Sequence, residues 1–233
     1  MNPHFTYLLV LLGCVLVPLL FSFHPRLRFD KNAVAFLTGS FPIAAFFTSW
    51  DILFAHLGVW RFNPDYVCGI YFYGLPLEEL LFFFVIPFCS VFTLHSFSIL
   101  FPLREPGNRF MRAFAAALAV SLLFIAFIFL RRLYTSVTFI LLAAVLVALS
   151  VKKTTPLSRY FFTWLVILLP FFISNGILTG SFISSPVVIY NDVENLGLRI
   201  FTIPVEDLFY GLLLLLLNFA AYDWLLRKRK TTV

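Results

Sequence analysis

Two pairs of adjacent acidic residues stand at the start of strongly apolar segments. Glu78 and Glu79 lie in "GLPLEELLFFFVIP", and Glu206 and Asp207 lie in "IPVEDLFYGL". Both stretches read apolar, Pro, apolar, Glu, acid, Leu, and then continue with bulky apolar residues. A carboxyl group in apolar surroundings holds its proton until a reaction requires it, and a nearby carboxylate can remove a proton. The pattern is therefore suited to general acid and base chemistry.

The same pattern is also typical of a helix start. Proline lacks the N–H group that the first helical turn leaves unpaired, and acidic side chains favour the positive end of the helix dipole. An ionisable group inside a membrane span is costly, however, unless it faces a cavity or a partner. Because the motif occurs twice, we favour a functional role over helix capping alone. Adjacent helix positions point about 100° apart, so we expect one acid of each pair to line a cavity.

Other polar and aromatic residues accompany the acidic pairs. Asp51 in "TSWDILF" and Asn175 in "ISNGIL" interrupt the apolar segment that precedes each pair. Rings in this region either form the aromatic belt of a membrane interface or stabilise a cation inside a cavity. The aromatic candidates for substrate binding are Trp50, Trp60, Tyr73, Phe82, Phe209 and Tyr210.

Membrane-spanning helices must position these residues. Hydrophobic residues make up 61% of the chain, charged residues make up 12%, and the mean hydropathy is +0.98. Soluble domains carry about a quarter charged residues, and a span of roughly 20 apolar residues crosses the hydrocarbon core of a bilayer. The first apolar stretch has neither a basic leader nor a small-residue cleavage site, so we expect it to be retained. Seven spans are predicted, at about 4–23, 33–57, 73–99, 110–130, 133–151, 160–179 and 200–225.

The basic residues predict the orientation of these spans. Thirteen Lys and Arg residues follow spans one, three, five and seven, whereas the opposite side carries only Arg61, Arg131, Arg132 and Arg199. The positive-inside rule therefore places the N-terminus outside and the C-terminus in the cytoplasm. The net charge of +6 is explained by this cytoplasmic excess, so we expect contact with membrane lipid and not with nucleic acid.

The two acidic motifs also predict an internal repeat. Aligning Glu78 with Glu206 matches spans one to three with spans five to seven, and span four restores the orientation of the second half. The halves then run parallel about an axis along the membrane normal. We therefore expect an all-α, polytopic membrane protein with a 3+1+3 arrangement. Its predicted parts are a three-helix repeat at 1–102, a linker helix at 103–131 and a second three-helix repeat at 132–233.

No cofactor or metal site is predicted. Cys14, Cys68 and Cys89 lack the spacing of a zinc site or of a disulfide framework. Glycine-rich phosphate loops, dinucleotide-binding fingerprints and His-Glu-x-x-His patterns are also absent from the sequence.

The combination of motifs resembles the membrane-integral lycopene cyclase family. The resemblance rests on "PLEEL" and "PVEDL", with "WD" ahead of the first and an Asn ahead of the second, and it covers essentially all seven predicted spans. The family occurs as two small subunits or as one fused chain, and this sequence looks like the fused form. The resemblance implies an integral protein of a prokaryotic cell membrane that binds a carotenoid and membrane lipid. It also allows an association with other enzymes of the carotenoid pathway.

The implied reaction converts the linear ends of lycopene to β-rings, giving γ-carotene and then β-carotene. It is an isomerisation of the intramolecular lyase type, without net redox change. Related subunits act on C50 carotenoids and form other rings, so substrate length and ring type stay open. Glu78 and Glu206 are the leading acid/base candidates. Glu79 and Asp207 are modulators of these acids or alternates to them. Asp51 and Asn175 are orienting groups.

Two other functions fit a seven-span chain. A 3+1+3 transporter would use the intramembrane acids for proton coupling, but the Pro-Gln turn of the sugar carriers is missing because the sequence contains no Gln. A retinal photoreceptor would require a lysine in the middle of a span, whereas every lysine lies at a predicted cytoplasmic end. The transporter therefore remains the alternative to the cyclase.

Overall fold

The computed structural model describes residues 3–101, 109–152 and 154–231, and this part of the chain is mostly helical. Seven helices are long and apolar enough to cross a membrane, which confirms the predicted spans. They are α1 Thr6–Phe21, α2 Ala33–His56, α3 Leu77–Leu100, α4 Arg109–Ile128, α5 Leu133–Val151, α6 Leu157–Leu178 and α7 Val205–Thr231. The predicted boundary between residues 102 and 103, together with Arg104 and Lys153, lies outside the described residues.

Short non-helical elements modify the expectation of an all-helical chain. Single 3₁₀ turns cover Pro3–Phe5, Phe29–Asn32 and Pro64–Tyr66. Six short strands occur in the connections that precede α3 and α7, where the sequence analysis predicted none. They are β1 Trp60–Phe62, β2 Tyr71–Phe72, β3 Leu75–Pro76, β4 Val188–Tyr190, β5 Arg199–Ile200 and β6 Ile203–Pro204.

Two tight hairpins delay the start of α3 and α7. Strand β2 pairs with β3, and β5 pairs with β6, both antiparallel. The predicted spans begin at 73 and 200, but these residues belong to the hairpins, so the helices start later. Proline ends each hairpin, and Pro76 is the extended N-cap residue of α3. Since proline has a fixed φ and no N–H, it suits this change from strand to helix.

The hairpins share the same backbone geometry in both parts of the chain. Gly69 and Gly197 precede them with φ of 84° and 70°. Such left-handed conformations favour glycine because it has no Cβ. The first residue of each helix bonds back across its hairpin: Leu77 N–H to Ile70 O at 2.8 Å, and Val205 N–H to Leu198 O at 3.0 Å. The two acidic pairs are therefore presented by equivalent local structures.

A third strand pairing joins the two connections to each other. Strands β1 and β4 run antiparallel, with Trp60 opposite Tyr190 and Phe62 opposite Val188. The strand after α2 is thus fixed to the strand after α6. This pairing joins the connection that precedes α3 to the connection that precedes α7, and these two helices carry the acidic pairs.

The helices α5 and α7 are the most buried of the seven, while α1 is the least buried. Helix α1 packs on α3, α5 packs on α7, and α2 crosses to α7. Helices α2 and α7 approach closely at Gly39, where an added Cβ would lie only 3.2 Å from the Cβ of Ala221. Ser40 also donates a 2.6 Å hydrogen bond to the Asn218 amide oxygen. Small residues and buried polar pairs are the usual means by which helices associate in lipid.

Candidate functional site

A cavity of about 830 Å³ lies beside the starts of α3 and α7. Its lining includes one acid of each pair, Glu79 and Asp207, together with Asp51 from α2. All three carboxyl side chains are buried. The cavity thus brings together residues that the chain separates widely, and the strand pairing and the two hairpins hold them in place.

The Glu79 carboxylate has a tyrosine donor from α1. Tyr7 donates a hydrogen bond of 2.6 Å to Glu79 Oε2, and the Tyr7 side chain is itself almost completely buried. Asp51 lines the same cavity as Glu79, and both side chains are buried. Two carboxyl groups in one apolar site resist being ionised together, and such a pair retains a shared proton.

Asp51 is the least satisfied of the three carboxyl groups. Its side chain is only 2% exposed, and Oδ2 has no hydrogen-bond partner within the described ranges. Among the described residues, the Trp60 indole N–H is the one donor directed at this carboxyl group, so a charge on Asp51 is poorly stabilised. The surroundings of Asp51 therefore favour its neutral form.

Asp207 has the opposite environment, with three donors around one carboxylate. Tyr134 donates to Oδ1 at 2.6 Å, while Asn175 Nδ2 and the Tyr190 hydroxyl donate to Oδ2 at 2.8 and 2.9 Å. Hydrogen bonds of this kind stabilise the charged form of a carboxyl group. Asp207 is thus arranged as an anion, in contrast to Asp51.

Tyr190 completes this donor set from outside the membrane spans. Burial, and then the neighbouring Asp207 carboxylate, raise the pKa of the Tyr190 phenol well above its usual value. The phenol therefore keeps its proton and acts as a donor. Phe62 is the last residue of β1, as Tyr190 is the last residue of β4. Phe62 has no hydroxyl, so it cannot donate a hydrogen bond to a carboxylate as Tyr190 does to Asp207. The two carboxylates of the repeated motifs therefore differ in their surroundings.

Glu78 and Glu206 lie elsewhere, since neither is among the described residues that line the cavity. Glu78 Oε1 accepts a hydrogen bond of 2.7 Å from the Cys68 backbone N–H, and Glu206 Oε1 accepts one of 2.7 Å from Leu196. Thr135 Oγ1 also donates to Glu206 Oε1 at 2.6 Å. Each first glutamate therefore anchors the loop ten residues before it, while the second acid, rotated by about 100°, faces the cavity.

The aromatic candidates divide into three groups. Trp60, Phe82 and Tyr210 line the cavity. Trp50 and Phe209 are not among the described lining residues. The Trp50 ring packs on Tyr210 with centroids 5.1 Å apart, and the Phe209 ring packs on Phe139 with centroids 5.0 Å apart. Tyr73 is 71% exposed in the hairpin turn.

Four cavity-lining rings pack against one another, and two of them bond the Asp207 carboxylate. We call them the aromatic box: Trp60, Tyr134, Tyr190 and Tyr210. The Trp60 ring lies 5.1 Å from Tyr134 and 6.1 Å from Tyr190 between centroids. These rings are in contact with one another, so a cation can be stabilised only by a ring face that is turned to the cavity. An anion and an aromatic box therefore occupy the same end of the cavity.

Sequence reasoning did not identify Tyr7, Tyr134 or Tyr190. The sequence does hold a signal for Tyr7 and Tyr134, because the two tyrosines occupy the same position in their helices. Tyr7 is the second residue of α1, and Tyr134 is the second residue of α5. Tyr190 had no such signal, since its position depends on the pairing of β4 with β1. No group of three His, Cys, Asp or Glu residues in the described ranges has the arrangement of a metal site.

The arrangement can donate a proton, stabilise a cation and accept a proton in one apolar cavity. No curated protein and no solved structure matches the chain. A family model described as Lycopene cyclase matches residues 4–97 and 131–225, so both acidic motifs fall within its matched regions.

Proposed function

The chain belongs to the lycopene cyclase family, and we propose from this premise that it closes β-rings at the ends of lycopene. Its cavity supports this activity because it combines a buried carboxyl group with one unpaired oxygen, a carboxylate with three donors and the aromatic box. The single observation that carries the proposal is the contrast between Asp51 and Asp207 across one apolar cavity. The ring type and the division of roles below are parts of the same proposal.

The proposed reaction begins with protonation of the terminal double bond of the substrate. The neighbouring double bond attacks the resulting tertiary cation, and a carbon–carbon bond closes the six-membered ring. The charge then lies on a ring carbon, and loss of a proton from the adjacent carbon restores a double bond. One proton is gained and one is lost, so the product is an isomer of the substrate.

We assign the proton donor to the pair formed by Asp51 and Glu79. Asp51 Oδ2 has no protein donor or acceptor among the described residues, so it is free to face the alkene. The Tyr7 hydrogen bond supports negative charge on Glu79, which helps to keep the shared proton on Asp51. Protonation of an unactivated alkene requires such a retained acidic proton in a water-poor site.

We assign cation stabilisation and proton removal to Asp207 and the aromatic box. A preorganised anion with three donors needs little rearrangement when positive charge develops nearby. The rings of Trp60 and Tyr210 add quadrupole attraction without offering a strong nucleophile that would trap the cation. Glu78 and Glu206, the leading candidates from sequence, receive the role of loop anchors because their bonded oxygens face backbone N–H groups.

Expression in a lycopene-accumulating bacterial host tests the proposed function directly. Chromatography of the pigments should show γ-carotene and β-carotene in place of lycopene. A host that carries the empty vector controls for background conversion. Unchanged lycopene in cells that contain folded, membrane-inserted protein would contradict the cyclase proposal.

The proposed arrangement in the membrane is a parallel 3+1+3 repeat with both acidic pairs near the outer side. The two matched regions and the equivalent hairpin bonds support the repeat, and the distribution of basic residues supports the orientation. In this arrangement α4 is the linker helix between the halves at 1–102 and 132–233.

A labelling experiment tests this orientation. A cysteine at Asp65, which is exposed in the loop before β2, should react with a membrane-impermeant reagent added outside intact cells. A cysteine at Arg26, which is exposed in the α1–α2 connection, should react only after the membrane is permeabilised. A reporter fused to the C-terminus should be cytoplasmic. The reverse labelling pattern would place the cavity at the cytoplasmic side.

Replacement of Tyr190 by Phe tests the donor set of Asp207. The variant keeps the ring and loses one hydrogen bond to a charged group, which contributes about 1.5–3 kcal/mol. We therefore expect the initial rate of ring formation to fall by about tenfold to a hundredfold. Tyr71→Phe is the matched control, because Tyr71 is exposed in β2. Equal rates for both variants would remove Tyr190 from the proposed site.

A further inference from the structure

The cavity continues well beyond the three carboxyl groups. Its lining on α1 extends from Thr6 to Pro18, and its lining on α6 extends from Leu178 back to Trp164. At 1.5 Å per helical residue, the α1 wall is roughly 18 Å long. The space is therefore an elongated slot with the carboxyl groups near one end.

Most hydroxyl and thiol groups that line the slot in the described ranges are already bonded within the protein. The hydroxyls of Ser90, Thr93 and Ser174 donate to carbonyl oxygens of their own helices, at 2.8, 2.8 and 2.9 Å. The Cys89 thiol donates to the Cys14 carbonyl oxygen. Since these polar groups are already bonded, the remaining surface suits a hydrocarbon and not a polar solute.

One side of the slot opens at membrane depth between α1 and α6. Leu9 and Val17 on α1, and Ile173 on α6, line the slot and are nevertheless 39%, 58% and 56% exposed. Gly13 lies between the first two on the same wall, and a Cβ added there would meet no atom within 4 Å. All four residues belong to membrane spans, so the opening faces lipid chains.

We infer that the gap between α1 and α6 is a lateral entrance through which the polyene chain of the substrate passes from the bilayer. This inference rests on the proposed function, because the proposed function places the reacting end of lycopene at Asp51, Glu79 and Asp207. The adjoining chain lies along the slot, and the distant end remains towards the bilayer. One binding event therefore closes one ring, and the second ring forms only after the molecule leaves and enters again by its other end.

Filling the slot at Gly13 tests the entrance. In Gly13→Phe the new ring meets open space, and phenylalanine is a better helix former than glycine, so the fold should be retained. The matched control is Leu12→Phe, because Leu12 is 52% exposed and is not among the described cavity-lining residues. Gly211→Leu fills the slot from α7, where an added Cβ would lie 3.8 Å from Phe171 Cε2.

Two measurements are made on each purified variant in lipid nanodiscs: lycopene retained per protein, and initial rate of ring formation. We expect Gly13→Phe and Gly211→Leu to lower both by about tenfold or more, as a steric block in a binding site does. Leu12→Phe should stay near wild type. Normal lycopene retention and normal rates in both slot variants would overturn the inference.

The two readouts also separate the inference from the proposed function. If wild type forms rings and both slot variants do so equally well, the cyclase proposal stands and the entrance does not. If wild type binds lycopene without forming rings, while the slot variants lose binding, the entrance stands and the cyclase proposal does not. If the Gly13→Phe protein alone is low in abundance, the measurements on Gly211→Leu decide whether the entrance exists.

A pulse-chase experiment tests the prediction of one ring per binding event. Isotope-labelled lycopene is allowed to react briefly in nanodiscs that contain wild-type protein, and a large excess of unlabelled lycopene in vesicles is then added. Labelled monocyclic product should persist, because it must compete for re-entry. Labelled bicyclic product that forms at an undiminished rate would show that both ends react without release.

Discussion

Replacing Asp207 by Asn is expected to lower ring formation by about 10²- to 10⁴-fold, which is the range that a general acid or base contributes. Asn keeps the size of the side chain but removes the negative charge opposite the developing cation and the group that accepts its proton. The measurement is the initial rate of lycopene loss in nanodiscs at equal protein concentration. The single amide oxygen can still accept from Tyr134, which bonds Oδ1, whereas Tyr190 and Asn175, which bond Oδ2, would face the amide NH₂ group. The abundance of membrane-inserted variant is therefore measured beside the rate.

The neighbouring residue provides a matched control for Asp207. In Glu206→Gln the amide oxygen can still accept from the Leu196 N–H and the Thr135 hydroxyl. We therefore expect a rate within about tenfold of wild type, because no bonded group is lost. A large loss in Glu206→Gln together with a normal rate in Asp207→Asn would assign the chemistry to the first acid of the pair, as the sequence motif alone predicts.

The second large effect is expected from the proposed donor pair. Asp51→Asn should lower the rate of ring formation by about 10²- to 10⁴-fold, because the amide cannot supply a proton to the alkene. Glu79→Gln should lower the rate less, since it leaves the Asp51 carboxyl in place. The double variant should be close to Asp51→Asn alone, because residues that act as one unit are not additive.

Solvent deuterium provides a readout that a structural role would not affect. In D₂O the exchangeable carboxyl proton is replaced by deuterium, so wild-type protein should place one deuterium on each ring that it closes. Rings formed without label would mean that the added hydrogen does not come from an exchangeable acid. Glu78→Gln and Asp65→Asn are the controls, and both should retain the wild-type rate and labelling. Loss of ring formation in Glu78→Gln would return that residue to the proposed chemistry.

Much of the fold is readable from the sequence because the bilayer permits few solutions. Backbone groups in lipid must be satisfied internally, so an apolar stretch of sufficient length becomes a helix. The seven spans are confirmed on this basis. The hairpins before α3 and α7 were missed because most of their residues are apolar or aromatic and merge with the helices that follow. The prolines and the preceding glycines are the signals that the two hairpins share.

The site was less predictable than the spans. The acidic motifs and Asp51 do lie close together, but sequence spacing could not tell which acid of each pair faces the cavity. That choice depends on the rotation of α3 and α7 relative to distant partners. Tyr7 and Tyr134 are 72 and 73 residues away from the acids that they bond. Such contacts follow from helix packing, which a single sequence does not display.

The cavity takes Asp51 and Glu79 from α2 and α3 and Asp207 from α7, and β1 pairs with β4. In the proposed repeat these carboxyl groups belong to different halves of the chain. Covalent connection turns the meeting of the halves into an intramolecular event, with an effective concentration that the connecting segment sets. A weak contact between the halves is then enough to keep Asp51 and Asp207 in one cavity. Two separate halves diluted in a membrane would need a stronger interface to reach the same occupancy of the complete site.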